Sequence, residues 1–221
     1  MESELIKMLL DKYKDQIKAI SISKEDLITV FCVSQTIDRI ENISIDDKPI
    51  IIKIRSLIRL NELISNPTAE MPIELGPIMH FQTIFDPQNT FLNLRNQIRN
   101  ISPVKIISAA RDAYNKAFAY YLMATKFYEN KKLLAFKFSI REFAKHIALM
   151  VAILNNIFFK TEYEFFMVKR LTHQPSKYHR LMAILFEHEL ASLESKRRSL
   201  EELWKNCKEF WERMLSNSQV S

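Results

Sequence analysis

The chain has 221 residues, 48% of them hydrophobic and 26% charged, with a formal net charge of +6 and a single glycine, Gly76. Length and composition allow one large domain or two small ones with a full core. One glycine excludes every phosphate-cradling loop that needs two or three, because such loops turn sharply and bring backbone amides against the ligand with no Cβ between. The start, Met1-Glu2-Ser3-Glu4, is acidic and lacks the basic and apolar regions of a signal peptide, and the longest uninterrupted apolar run, Ile147 to Leu154, is far short of the ~20 residues that span a bilayer. Cys32 and Cys207 have no metal-ligand spacing. They read as two reduced, buried thiols of a cytoplasmic protein with no membrane association.

In chain order, Leu5, Ile6, Leu9, Leu10, Tyr13 and Ile17 predict an amphipathic helix. Short β-rich runs follow at Lys18 to Ile22, Leu27 to Val33 and Pro49 to Ile54, then helix at Ser56 to Ser65. Asn66 to Pro77 holds three prolines and the glycine and reads as a loop. Ile78 to Phe85 reads as an edge strand, Asp86 to Asn89 as a turn, and Thr90 to Asn100 as helix. The expected unit is a small α/β domain with roughly four strands over residues 1–102.

Ser102-Pro103 marks the expected domain boundary, since serine caps helices and proline suits their first position. Beyond it, Ile106, Ala110, Ala113, Ala117, Tyr120, Ala124 and Phe127 form one helical stripe whose alanines permit close contact. Asn130 with Lys131-Lys132 is a stop, and Phe136, Ile140, Phe143, Ile147, Met150, Leu154 and Ile157 form a second stripe. A short helix is expected at Glu162 to Leu171. A last helix is expected from Ser176 to Leu215, where Phe186, Leu193, Leu200, Cys207 and Met214 recur every seven residues beside Leu190, Trp204 and Trp211. If unbroken it would reach roughly 60 Å and leave part of its seam exposed, so a homodimer through this helix is expected. The fold class is therefore α+β: a small mixed sheet with helices, followed by an all-α bundle over residues 103–221.

Charge divides along the same line. Residues 1–103 carry 12 Lys and Arg against 14 Asp and Glu, and residues 104–221 carry 20 against 12. A basic helical half can attract a nucleotide or nucleic acid, although interspersed Lys and Glu, as in Glu194 to Lys208, equally describe solvated helix faces.

The order of elements resembles the minimal nucleotidyltransferases of the polymerase-β superfamily, in particular those with a kanamycin-nucleotidyltransferase-like helical C-terminal domain. Leu9-Leu10-Asp11-Lys12-Tyr13 to Ile20-Ser21-Ile22 is similar to the opening helix and first strand. Ile84-Phe85-Asp86-Pro87-Gln88-Asn89-Thr90-Phe91 is similar to the family's strand-to-helix turn. Leu154 to Lys160, with Lys169-Arg170-Leu171 and Pro175, is similar to the second half of its helical domain.

In that family a Gly-Ser loop follows the first strand, and three carboxylates hold two metal ions for in-line phosphoryl transfer. The resemblance implies Mg²⁺ only if those groups are kept. Here Ile20-Ser21-Ile22-Ser23 runs almost directly into Lys24-Glu25-Asp26-Leu27. Lys24 falls on the first metal-binding position and Asp26 alone matches the second. The later strand, Ile50 to Ile54, offers Lys53 and Arg55 but no carboxylate. A lysine in a ligand position opposes Mg²⁺. The implied protein is a catalytically degenerate nucleotidyltransferase-like pseudoenzyme that binds or scaffolds, with no cofactor.

Two alternatives remain open. One is a divergent active nucleotidyltransferase using Asp26 with Asp46 or Asp47. The other is a HEPN-type ribonuclease or toxin-system component centred on Arg141 and His146, whose R-x4-H spacing resembles the pair such domains carry. Glu142 fits that motif imperfectly, and an exposed Arg with a partly packed His is the plainer reading. His80, His173, His179 and His188 make no metal-ligand pair. Trp204 and Trp211, seven residues apart, suit a packed helix seam better than a base-stacking surface.

Overall fold

The computed structural model describes residues 2–24, 28–45, 47–160, 171–186 and 191–218. The chain folds into two compact units that each borrow a short segment from the other side of Ser102-Pro103. The first is Met1–Pro67, Met71–Lys105 and Phe158–Thr161, and the second is Thr68–Glu70, Ile106–Ile157 and Glu162–Ser221. The class is α+β, with a mixed sheet in the N-terminal part and helices after it.

The first unit opens with α1 (Glu2–Tyr13), whose buried residues Leu5, Leu9 and Tyr13 fall on one face. A single 3-10 turn leads into β1 (Ile17–Ser23), and then come β2 (Ile28–Ser34), β3 (Arg39–Ile45) and β4 (Lys48–Ser56). Ile17 therefore starts the sheet rather than ending the helix. The sheet has five strands in the order β3-β4-β2-β1-β5, with β5 being Gln82–Phe85. Only β2 and β4 pair in parallel, with Ile28 opposite Ile50 and Ser34 opposite Ser56. Ile20, Ile22, Val30, Cys32, Ile50, Ile52 and Ile54 pack with the buried face of α1. On the other side Phe31 meets Phe91 of α5 (Thr90–Arg99), ring centroids 6.5 Å apart.

The fifth strand is β3, which sequence reading omits. It lies at the sheet edge with alternating partial exposure and carries Arg39 and Glu41. Glu41 accepts from Tyr13 Oη and Lys12 Nζ and also meets Arg39, so polar side chains satisfy one another along an edge that faces water.

α2 (Leu57–Ser65) is capped by Ser56, whose hydroxyl accepts from the Arg59 amide at 3.1 Å. The expected loop at Asn66 to Pro77 instead contains α3 (Met71–Glu74) and the start of α4 (Gly76–His80). The expected edge strand shortens accordingly to β5. Gly76 has an ordinary negative φ, and its role is close approach. A Cβ built there would stand 1.6 Å from the carbonyl oxygen of Phe159.

In the second unit α6 (Pro103–Glu129) buries Ala109, Ala110, Ala113, Ala117 and Ala124, and α7 (Leu133–Leu154) buries Phe136, Ile140, Phe143, Ile147 and Met150. The expected helix at Glu162 to Leu171 lies, apart from Leu171, outside the described residues.

The last helix is not continuous. α8 (Tyr178–Phe186) and α9 (Leu193–Ser218) are separate, and Ser192 caps α9 by accepting from the Ser195 amide at 3.1 Å. α8 and α9 pack on each other. This corrects the expected unbroken helix, and the apolar seam from which the homodimer through Ser176 to Leu215 is expected is covered within the chain. Leu200, Leu203, Trp204, Cys207, Phe210 and Trp211 are all buried. The most exposed large apolar side chains of this unit, Leu134 and Phe138, stand on α7 instead.

Candidate functional site

The strand ends hold the residues that the resemblance sets at metal-binding positions. Lys24 follows β1, and its ammonium is paired with the Glu2 carboxylate at the start of α1. On β4, Lys53 lies opposite Phe31 and Arg55 opposite Val33 of β2. The Arg55 Nε donates to Glu74 at 3.0 Å, and its Nη1 donates to Asp38 at 2.9 Å. Asp38 also accepts from Arg59 at 3.0 Å. Arg55 is mostly buried, which alone would lower its pKa, but the two carboxylates more than compensate and hold it above the ordinary value. Lys24 lies at the end of the sheet where β2 begins and Arg55 near the end where β2 finishes, so these cations do not gather at one site, and the nearby Glu74 and Asp38 are committed to Arg55. The residues at these positions do not fit the metal that the resemblance implies.

Asp26 and Asp46 lie outside the described residues. Asp47 is exposed in the β3–β4 turn with φ 59°, the left-handed conformation that Asp tolerates in tight turns. Among the described residues no three of His, Cys, Asp or Glu stand together as metal ligands.

Asp86, in the strand-to-helix turn, has a structural task. Its two carboxylate oxygens accept from the Thr90 and Phe91 amides at 2.6 and 2.9 Å and so cap α5. His80 Nε2 is 2.8 Å from the Phe158 carbonyl oxygen.

Arg141 and His146 share α7 but do not converge. Five residues along a helix turn the side chains roughly 140° apart. Arg141 is exposed and lines a cleft with Leu185 and Leu193. His146 is buried, with its ring stacked on Tyr120 at 5.5 Å. Its Nδ1 has no hydrogen-bond partner among the described residues. Burial, with help from the Lys116 and Lys145 charges and against Asp112, lowers its pKa to about 4. Asp112 is itself engaged, accepting from the Ala69 amide at 3.0 Å and from Lys116 at 3.1 Å.

His146 is therefore neutral when folded at pH 7, and its depressed pKa has a sign. The unfolded chain binds its proton near pH 6.5 and the folded chain only near pH 4, so this stabilisation is complete above 6.5 and is lost as pH falls from 6.5 towards 4. Between pH 7.5 and 4.5 the wild type should lose on the order of 2 kcal/mol more than His146→Phe, which keeps the stack on Tyr120. Urea unfolding at both pH values measures the difference, and identical pH profiles would contradict it.

Both cysteines are free and buried, and burial pushes the Cys32 thiol up to about 12 and raises Cys207 as well. Trp204 and Trp211 pack against aromatic side chains of α6 within the helical unit. Sequence reading missed two basic residues of the cleft beside Arg141, Lys137 and Lys196. Lys137 lies one helical turn before Arg141 on α7, a signal that was available. Lys196 comes from α9, 59 positions beyond Lys137, and only the fold brings it near.

Among the described residues no helix is long and apolar enough to cross a membrane. No family model and no curated protein matches the sequence. Among solved structures, the chain is similar to a nucleotidyltransferase-like protein from Exiguobacterium sibiricum 255-15, with a TM-score of 0.52 at 8% identity. The match covers 96% of this chain and 75% of that one. At that identity the likeness speaks for the fold alone, and the fold of this chain is nucleotidyltransferase-like.

Proposed function

We propose that the chain is a catalytically degenerate nucleotidyltransferase-like protein that acts by binding or scaffolding. In this reading residues 1–102 keep the sheet without its metal chemistry, and the helical residues 103–221 hold a nucleotide or nucleic acid. The observation that supports it is that β4 carries Lys53 and Arg55 where the resemblance calls for a carboxylate, with Arg55 engaging the neighbouring Glu74 and Asp38. A cytoplasmic location belongs to the same reading and is supported by two free thiols. The burial of the α9 seam removes the argument on which a homodimer through Ser176 to Leu215 is expected.

The experiment is a transfer assay with each labelled nucleoside triphosphate, Mg²⁺ or Mn²⁺, and protein and small-molecule acceptors. No nucleotide should appear on any acceptor. The alternative active enzyme draws on one observation. Ile28 pairs with Ile50, so the β3–β4 turn that holds Asp47 leaves the sheet at the end where β2 begins. Metal-dependent transfer abolished by Asp26→Ala or Asp47→Ala would establish that alternative and end the degenerate reading. The ribonuclease alternative has no comparable support, because Arg141 and His146 point to different surroundings.

A further inference from the structure

The hairpin of α6 and α7 carries an apolar face in water. Leu134 is 84% exposed, and Phe138, one turn along α7, is 60% exposed. Phe138 meets Tyr120 of α6 edge-on, ring centroids 6.5 Å apart, which sets this face on the side of α7 that adjoins α6. Met123, 46% exposed, follows Tyr120 by one turn and continues the face on α6. All four residues belong to the helical unit.

The charge around this face is one-sided. Residues 116–145 carry seven Lys and Arg against Glu129 and Glu142. Two of the lysines stand at the hairpin's tip. Lys131 takes the left-handed conformation that closes α6, with φ 57°, and the Lys132 amide donates to the Phe127 carbonyl at 2.8 Å, so the turn is fixed. Lys132 is the N-cap of α7, its side chain makes no capping bond, and no acidic residue occupies the first turn. Two cations therefore sit at the positive end of a 22-residue helix, an arrangement that an acidic partner relieves and a basic one worsens.

We propose that this face of the α6–α7 hairpin docks an acidic amphipathic helix of a partner protein. Apolar residues three or four apart on that helix would lie against Leu134, Phe138 and Met123, and its carboxylates would meet Lys131 and Lys132. A second copy of this chain does not suit the face, because a two-fold interface would set the same basic surface against itself. A nucleic-acid strand would find charge here, but Leu134 and Met123 offer no ring on which a base can stack. This docking rests on the reading of the chain as a binding or scaffolding protein and gives that reading a surface.

The test is selection from a displayed library of helix-forming peptides against the full chain, followed by fluorescence anisotropy with the enriched peptides. Those peptides should combine Asp and Glu with apolar residues three or four apart, and their binding should weaken as salt rises. Leu134→Glu and Phe138→Glu should each weaken binding about tenfold or more, as loss of an interface anchor does, and so should Lys131→Glu combined with Lys132→Glu. Lys208→Glu, an exposed change on α9, should leave binding unchanged. Leu134→Glu should melt with the wild type, since its side chain stands in water. No enrichment, enrichment of basic peptides, or binding indifferent to Leu134→Glu and Phe138→Glu overturns the proposal. A destabilised Leu134→Glu also overturns it, by placing another segment of this chain on the face. Single-stranded RNA that binds through Lys131 and Lys132 and resists displacement by the peptides overturns it in favour of nucleic acid. A dimer in light scattering that Phe138→Glu dissociates overturns it in favour of a second copy. The transfer assay reports on the sheet-bearing part and none of these variants touches it, so the two readings fail separately.

Discussion

Gly76→Ala should destabilise the protein by about 3 kcal/mol or more, the upper end of what overpacking a close-packed site costs. The added Cβ would meet the Phe159 carbonyl oxygen at 1.6 Å and its carbon at 2.7 Å. These are backbone atoms, so no side-chain rotation relieves the clash. The Phe159 backbone is also held in place. Its amide donates to the Pro72 carbonyl at 2.9 Å, its ring is buried, and the preceding carbonyl of Phe158 meets His80. Either α4 or the Phe158-Phe159 segment must move, and both lie in the first unit's core. Chemical denaturation followed by far-UV circular dichroism measures the loss. Wild-type stability for Gly76→Ala would show that the two segments do not approach as described.

Trp204→Ala should cost about 4 kcal/mol, as expected for removing a large buried aromatic side chain. The indole is stacked against three rings of α6, Tyr114 at 5.1 Å, Phe118 at 5.2 Å and Tyr121 at 5.3 Å, and it meets Phe143 of α7 edge-on at 6.4 Å. Truncation therefore removes contacts joining α9 to both α6 and α7, and the cavity adds to the lost burial. Trp204→Phe keeps part of the stack and should cost less than half as much. Guanidinium unfolding of both variants, read by the fluorescence of Trp211 in the first, gives the comparison. A loss below ~1 kcal/mol for Trp204→Ala would return the seam to the protein surface and with it the dimer.

What the sequence discloses follows from the range of each interaction. The stripes of α6 and α7 are legible because a 3.6-residue period repeats across many turns, and the spacing picks out every buried alanine of α6 except Ala109. Asp86 and Ser56 are legible as turn and cap residues because their partners lie three to five positions away. β3 is hidden because an edge strand needs no apolar run, and its Arg39 and Glu41 look like loop residues until Tyr13 and Lys12 meet them. α3 and α4 are too short to show a period. The break before α9 is masked by a heptad spacing that runs straight through it, although Ser192 with Glu194 in the first turn was a local start signal.

The functional positions divide in the same way. That Lys24, Lys53 and Arg55 replace the carboxylates the resemblance calls for is readable from residue type and strand order alone. That Arg55 engages Glu74 and Asp38, that His146 turns inward to Tyr120, and that Lys196 joins Lys137 and Arg141 all depend on contacts across 17 to 59 positions. Gly76 is the clearest case. Its scarcity value is plain in the sequence, but its reason for being glycine lies 83 residues downstream at Phe159.

The central proposal is that a chain with Lys24, Lys53 and Arg55 where the resemblance calls for carboxylates holds no two-metal centre. Mn²⁺ binding, followed by electron paramagnetic resonance on the full chain in the presence of ATP, tests it most directly. The account predicts only the signals of free Mn²⁺ and of Mn²⁺ on nucleotide, with no stoichiometric protein-held ion and no change in Asp26→Ala or Asp47→Ala. Two tightly held Mn²⁺ ions per chain, lost in either variant, would contradict it.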